Sequence, residues 1–335
     1  MQHGFSRTLF KQVSTINSSI LKAANYRKLE IQQAVRAMSS LTQKLTFPIV
    51  GQSYEQPTGL FINNEYVKAR SGKTFDVITP VTEDKLCTLQ QAGAEDVDYA
   101  VQCASKAFPK WRDTKPEVRA RILYKTAELM DQQRELLARI ESLDNGKSLQ
   151  CARFDVNLVV EYLRSCAGYC DKVDGRTMET GPEYLTYTKR EPLGVCGAIT
   201  PWNFPLLMFS WKVGPSLATG NCMVIKPASA TPLSNLYAAS LFKQAGLPAG
   251  VLAVIPGSGR TCGNAILQHP KIRKVAFTGS TSVGKNIMKG AADTIKKVTL
   301  ELGGKSPNIV FQDCDVQKTI QNLITGIFFN GGEVC

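Results

Sequence analysis

Three residues in this chain have the types and the settings that acyl-transfer chemistry needs. A thiol, Cys335, follows Asn330-Gly331-Gly332-Glu333-Val334. A carboxylate, Glu301, stands in Leu300-Glu301-Leu302-Gly303-Gly304-Lys305-Ser306-Pro307. A side-chain amide, Asn203, stands in Pro201-Trp202-Asn203-Phe204-Pro205. Such a set supplies a nucleophile, a base and a donor for an oxyanion. Each also has a plainer reading. A terminal cysteine is often frayed and inert, a glutamate beside glycines is usually a surface residue, and an asparagine among prolines is most often a turn residue. On the other side, Gly331 and Gly332 permit close backbone approach to the thiol. Val298-Thr299-Leu300 delivers Glu301 on a strand that breaks at Gly303-Gly304, where partial desolvation suits a general base.

A second group of residues has the make-up of a dinucleotide site. Val275–Thr278 reads as a strand, Gly279-Ser280-Thr281-Ser282-Val283-Gly284 as a turn, and a helix follows. Free N–H groups and the helix dipole at such a start favour a pyrophosphate. The spacing is not GxGxxG. It is nearly that of a P-loop, since Lys285 follows Gly284, but Asn286 stands where Ser or Thr would hold magnesium. Alone, this turn and the run Gly257-Ser258-Gly259 with Gly263 are more often structural connections. With Lys226-Pro227 at the end of another strand, they outline a groove at the carboxyl ends of neighbouring strands, where dinucleotides bind.

The composition narrows the alternatives. A chain of 335 residues that is 43% hydrophobic is long enough for more than one core. No stretch approaches the roughly 18 apolar residues of a membrane span, so membrane insertion is not expected. Residues 1–46 hold seven Lys or Arg and one acid, Glu30, which is half of the net charge of +12. This arm is rich in Ser, Gln and Asn, and Phe5, Leu9, Val13, Ile16 and Ile20 follow helical spacing. Those features describe a mitochondrial transit peptide, and hence a matrix location, better than a nucleic-acid arm. A basic tail with no address is the alternative. The 10 cysteines are scattered, with no CxxC pair, which fits a reduced compartment. Only two histidines, His3 and His269, are present. That scarcity removes most Cys/His and Ser/His hydrolase schemes and any His-built metal site, so no metal is expected.

The elements that must position these residues follow an α/β pattern. Residues 60–67 and 74–78 read as strands joined by a turn at Gly72, and 96–108, 116–143 and 153–170 as helices. Polar, β-prone residues 184–192 suit an exposed hairpin. From residue 193, strand and helix alternate: strands at 193–200, 222–226, 251–255 and 275–278, helices at 206–218, 232–245 and 282–292. One short strand per unit means a parallel sheet covered on both faces. An apolar helical run, Ile320 to Phe329, precedes the terminal glycines.

By order and wording, these motifs resemble the aldehyde dehydrogenase superfamily from about Thr58 to Cys335. The closest likeness is to its broad-specificity NAD(P)-dependent members and, among them, fungal mitochondrial forms. Leu300 to Pro307 is similar almost letter for letter to the family's general-base signature. The family's nucleophile follows an apolar helix, usually after Gln-Gly-Gln or Ser-Gly-Glu, so Gly331 is a small departure. The resemblance implies an α/β fold with a parallel-sheet, modified Rossmann cofactor domain at 47–174 and 193–304. It also implies a partial oligomerisation hairpin at 175–192 and the start of a catalytic domain at 305–335. It implies Cys335 as nucleophile, Glu301 as base and Asn203 as oxyanion donor in the oxidation of a small aldehyde by NAD or NADP. Lys226 and Ser229 are implied at the adenosine ribose, Ser280 at the pyrophosphate and Trp202 in the pocket wall. Thr200, Pro201, Gly259, Gly279, Val283, Leu302 and Gly303 complete the implied cofactor set. NAD-selective members commonly carry a glutamate where this chain has Ser229, which leaves NADP open. Family members form homo-oligomers and continue well past the nucleophile, so a truncated catalytic domain is expected here. The competing expectation is a non-catalytic dinucleotide-binding fragment, prone to aggregate and without measurable turnover.

Overall fold

Short strands paired antiparallel build the first part of the fold. In the computed structural model, which describes residues 41–48 and 50–335, β1 (Thr42–Thr46) pairs antiparallel with β2 (Ser53–Pro57). The stretch 60–67 is two strands rather than one. β3 (Leu60–Ile62) and β4 (Glu65–Val67) reverse at Asn63-Asn64, whose φ of 57° and 63° the short Asn side chain tolerates. β5 (Thr74–Ile78) does not continue that hairpin; it pairs with β6 (Lys85–Gln90). Because β1 belongs to the folded body, the boundary placed at residue 46 moves back to before Leu41. The amphipathic stretch Phe5–Ile20 lies outside the described residues.

Four helices follow: α1 (Ala94–Arg112), α2 (Pro116–Gln132), α3 (Arg134–Asn145) and α4 (Leu149–Gly168). The single helix expected over 116–143 is interrupted at Gln133, which has φ −107° and ψ 20°. The polar run Asp131–Arg134 supplies the reason. Gln133 accepts a hydrogen bond from the Tyr237 hydroxyl at 2.7 Å, and Asp131 accepts one from Arg164 at 2.9 Å, so the junction is fixed by partners outside it. A small exposed hairpin, β7 (Thr177–Met178) with β8 (Thr186–Tyr187), comes next.

The remainder alternates as the sequence pattern requires. β9 (Val195–Ile199), α5 (Pro205–Ala218), β10 (Cys222–Lys226), α6 (Leu233–Gln244), β11 (Leu252–Val254), α7 (Asn264–Gln268), β12 (Ile272–Gly279), α8 (Thr281–Ala292) and β13 (Lys297–Leu302) succeed one another. All five residues of β9 and of β10 are buried, as expected of strands covered on both faces. The strands form one sheet in the order β13-β12-β9-β10-β11-β3-β4, the first five parallel and β3 and β4 antiparallel. Numbered by appearance, the parallel strands run 3-2-1-4-5, the order of a Rossmann sheet, with the topological switch between β9 and β12. The chain closes with α9 (Val316–Phe328) and a short 3₁₀ turn, Phe329–Gly332.

Candidate active site

The residues expected to hold a dinucleotide all lie at the carboxyl ends of the parallel strands. Thr200, Pro201 and Trp202 follow β9, Lys226 ends β10, and Ser229 lies three residues beyond it. Gly257 and Gly259 follow β11, Gly279 ends β12, and Leu302 ends β13 before Gly303. The crevice at the switch point is thus bounded by Thr200–Trp202 on one side and Gly279–Val283 on the other. The turn after β9 holds no glycine, unlike the usual Rossmann fingerprint; the glycine turn has moved to β12.

Local chemistry shapes this crevice. The Ser280 hydroxyl caps α8, accepting from the Val283 N–H at 3.4 Å, and Ser280 and Val283 are exposed in its first turn. Gly284 lets α8 sit close to β13, since a Cβ there would stand 2.6 Å from the Leu302 side chain. Leu302 therefore serves packing as well as position. At the far end, Lys226 and Ser229 converge on one acceptor: the ammonium donates to the Gly257 carbonyl at 3.0 Å and the hydroxyl at 2.9 Å. Burial pushes the Lys226 pKa down. The hydroxyls of Thr200 and Thr278 are buried without partners at the ends of β9 and β12, and space around Gly259 is open. A helix start with free N–H groups, orphaned hydroxyls and an open glycine fit a dinucleotide diphosphate and its riboses.

Two of the three chemical residues, Asn203 and Cys335, are brought together by main-chain contacts. The Asn203 amide donates to the Glu333 carbonyl at 2.5 Å, and the Asn330 amide donates to the Asn203 carbonyl at 3.0 Å. The Cys335 carbonyl accepts from the Gly304 N–H at 2.8 Å, which ties the thiol's residue to the end of β13. Asn330 holds φ 53° and is buried, so the turn before Cys335 is folded against this loop. The Glu301 carboxylate is not drawn into the cluster. It is exposed and faces a groove of about 1450 Å³ on the sheet, which Lys212, Trp211, Cys196 and Thr299 also line. The expected desolvation of Glu301 is therefore not seen.

Sequence reasoning missed two sets of residues. Lys212 on α5 is buried in the groove wall; burial lowers its pKa and the charge of Glu301 opposes that shift. Its signal was available, a lone lysine in Pro205-Leu206-Leu207-Met208-Phe209-Ser210-Trp211-Lys212. The second set lies at the end of α3. Glu141 accepts from the Leu206 N–H at 3.1 Å and Asp144 from the Leu233 N–H at 2.7 Å, so two buried carboxylates cap α5 and α6. Asn145 donates to the Trp202 carbonyl at 2.8 Å. No pattern in the sequence marks them. Among the described residues no cluster of His, Cys, Asp or Glu is suited to a metal ion, and no helix is long and apolar enough to cross a membrane.

Comparison with known proteins assigns the chain to a family. The model of the aldehyde dehydrogenase family matches residues 66–335. The aldehyde dehydrogenase of Emericella nidulans is 54% identical over 300 residues, which are 89% of this chain and 60% of that protein. That of Aspergillus niger is 53% identical over the same length. An NAD+ complex of aldehyde dehydrogenase from Bacillus cereus superposes with a TM-score of 0.82 at 50% identity, over 83% of this chain and 57% of that one. The chain thus spans about 60% of the length of the curated relatives it matches. It belongs to the aldehyde dehydrogenase family.

Proposed function

From that membership, we propose that the chain carries the cofactor site and the nucleophile of an NAD(P)-dependent oxidation of an aldehyde to a carboxylic acid. One observation carries the reading: Asn203, Gly304 and the Cys335 segment are hydrogen-bonded into one cluster beside the switch-point crevice. In the proposed reaction the Cys335 thiolate adds to the aldehyde carbon, forming a thiohemiacetal. The Asn203 amide and a backbone N–H, that of Cys335, hold the oxyanion. A bound nicotinamide supplies the two-electron hydride acceptor. Glu301 takes a proton from the water that attacks the resulting thioester, and the acid leaves as the thiolate is restored. Glu301 reaches this water from the groove side, and Lys212 beside it sets the charge of its surroundings. Ser229 carries no negative charge to repel a 2′-phosphate, so NADP is accepted as well as NAD. We place residues 1–40 as a mitochondrial leader and the hairpin of β7 and β8 as part of an oligomer contact.

Two measurements test the reading. Calorimetric titration of the full chain with NAD and NADP examines the crevice alone. A fusion that supplies the part of the Emericella nidulans relative not covered by this chain examines the chemistry. The fusion should form NADH with acetaldehyde. Cys335→Ser in it should abolish both the burst and steady turnover, and Glu301→Gln should give a burst and then stall. Steady turnover at a normal rate in Glu301→Gln would assign the base elsewhere. Binding without any aldehyde-dependent NADH would favour the non-catalytic reading.

A further inference from the structure

A lysine that no motif marks holds the Asn203 loop from beneath. Lys147 lies in the turn between α3 and α4, directly after Gly146, whose φ of 86° ends α3. Its side chain and that of Asp155 are each 1% exposed. The ammonium donates to Asp155 Oδ2 at 2.6 Å and to the main-chain carbonyl of Asn203 at 2.9 Å. It also stands 4.5 Å from the centre of the Phe204 ring. Asn330 Nδ2 donates to the same carbonyl at 3.0 Å. The main chain of Asn203 is therefore pinned by a buried cation and an amide from the Cys335 segment. The Asn203 side chain uses one N–H to hold Glu333. A primary amide has two, so the second remains for an oxyanion.

A buried ion pair is a poor device for stability alone, because a well-packed apolar pair of similar volume is often as good. Its presence here has a local explanation in what else the ammonium touches. We propose that Lys147 is a positioning residue: with Asp155 orienting it, it fixes the Asn203 main chain so that the side-chain amide keeps both its grip on Glu333 and its aim at the substrate oxygen. The functional half of this rests on the reading of Asn203 as the oxyanion donor. The structural half does not need it.

The test is hydrogen exchange, followed by mass spectrometry, on the full chain. Lys147→Met leaves Asp155 buried and unpaired and so risks general destabilisation. The double variant Lys147→Met/Asp155→Leu removes both charges together. In the double variant the thermal midpoint should be close to that of the wild type. Exchange should rise on the order of tenfold in peptides covering 200–206 and 329–335, and stay unchanged in β10 and β11. Unchanged exchange in the two loop segments would overturn the proposal. So would a uniform rise across the sheet, since the pair would then hold the core and not the loop. This measurement requires no turnover. Failure of the fusion to make NADH would count against aldehyde oxidation, while the exchange result decides the role of Lys147 separately.

Discussion

Replacing Gly257 by alanine should be costly, and replacing Gly259, two residues on in the same loop, should not. A Cβ on Gly257 would stand 2.7 Å from the Ala92 carbonyl oxygen and 2.9 Å from the Cys262 Cβ. Ala92 cannot retreat freely, because its N–H donates to the Pro256 carbonyl at 2.8 Å, within the same loop. Overpacking of this kind costs about 1–3 kcal/mol. Relief by moving the loop carries its own cost. The Gly257 carbonyl accepts from Lys226, which is 4% exposed, and a hydrogen bond to a buried charge contributes about 1.5–3 kcal/mol. The net loss should be about 2–4 kcal/mol, a fall in Tm of about 3–6 °C for a chain of this size. Around Gly259 nothing lies within 4 Å of a new Cβ and its φ is ordinary, so Gly259→Ala should leave Tm within about 2 °C. It should weaken dinucleotide binding if backbone approach at that glycine matters. Thermal melts by circular dichroism and calorimetric titration of both variants decide the matter. Equal midpoints for the two, or a fall in Gly259→Ala as large as in Gly257→Ala, would refute the account of this loop.

Ser229→Glu should weaken NADP relative to NAD on the order of tenfold, about 1.4 kcal/mol, in titrations of the full chain; if the wild type already rejects NADP, position 229 does not set the choice. Burial holds the Asp144 carboxyl well above the usual carboxylate range. A raised folded-state pKa gives stability that is complete below the unfolded pKa and is lost as pH rises through the folded one. The wild type should therefore lose ground against Asp144→Asn as pH rises above about 4, and parallel Tm curves would sink the idea. Residues 1–40 fused to a fluorescent protein should direct it to mitochondria, and changing Arg7 and Lys11 to Glu should abolish that; a diffuse signal from the unaltered fusion would rule the leader out.

Strand-helix alternation after residue 193 was legible because each unit carries its own local punctuation. Cys222–Lys226 is an apolar run closed by Pro227, and Gly279 and Ser280 end a strand and cap a helix within two residues. The order of the strands was not legible in the residues alone, since it depends on β12 returning to the far side of β9 after β10 and β11 have left it. The first strand was hidden for another reason. Thr42-Gln43-Lys44-Leu45-Thr46 buries only Leu45, so it looks like tail and is recognised as strand only by its pairing with β2.

The same division runs through the candidate site and explains what motif reading omits. Cys335, Glu301 and Asn203 each sit in a short, recognisable run, but nothing in those runs sets one relative to another. That task falls to contacts between distant positions: Lys147 to Asn203 across 56 residues, Glu141 to Leu206 across 65, and Asp144 to Leu233 across 89. All three acceptors or donors on the α3 side are buried and ionisable, the kind of group that stays folded inside only with its partner in place. Their partners are main-chain atoms, so no partner side chain records the pairing in the sequence. Any residue at 203, and any but proline at the donor positions 206 and 233, could make the same contact. The geometry of the Asn203 loop is thus encoded at one end only, in the segment Glu141–Lys147, and substitutions there should disturb the candidate site more than their distance from it in the chain suggests.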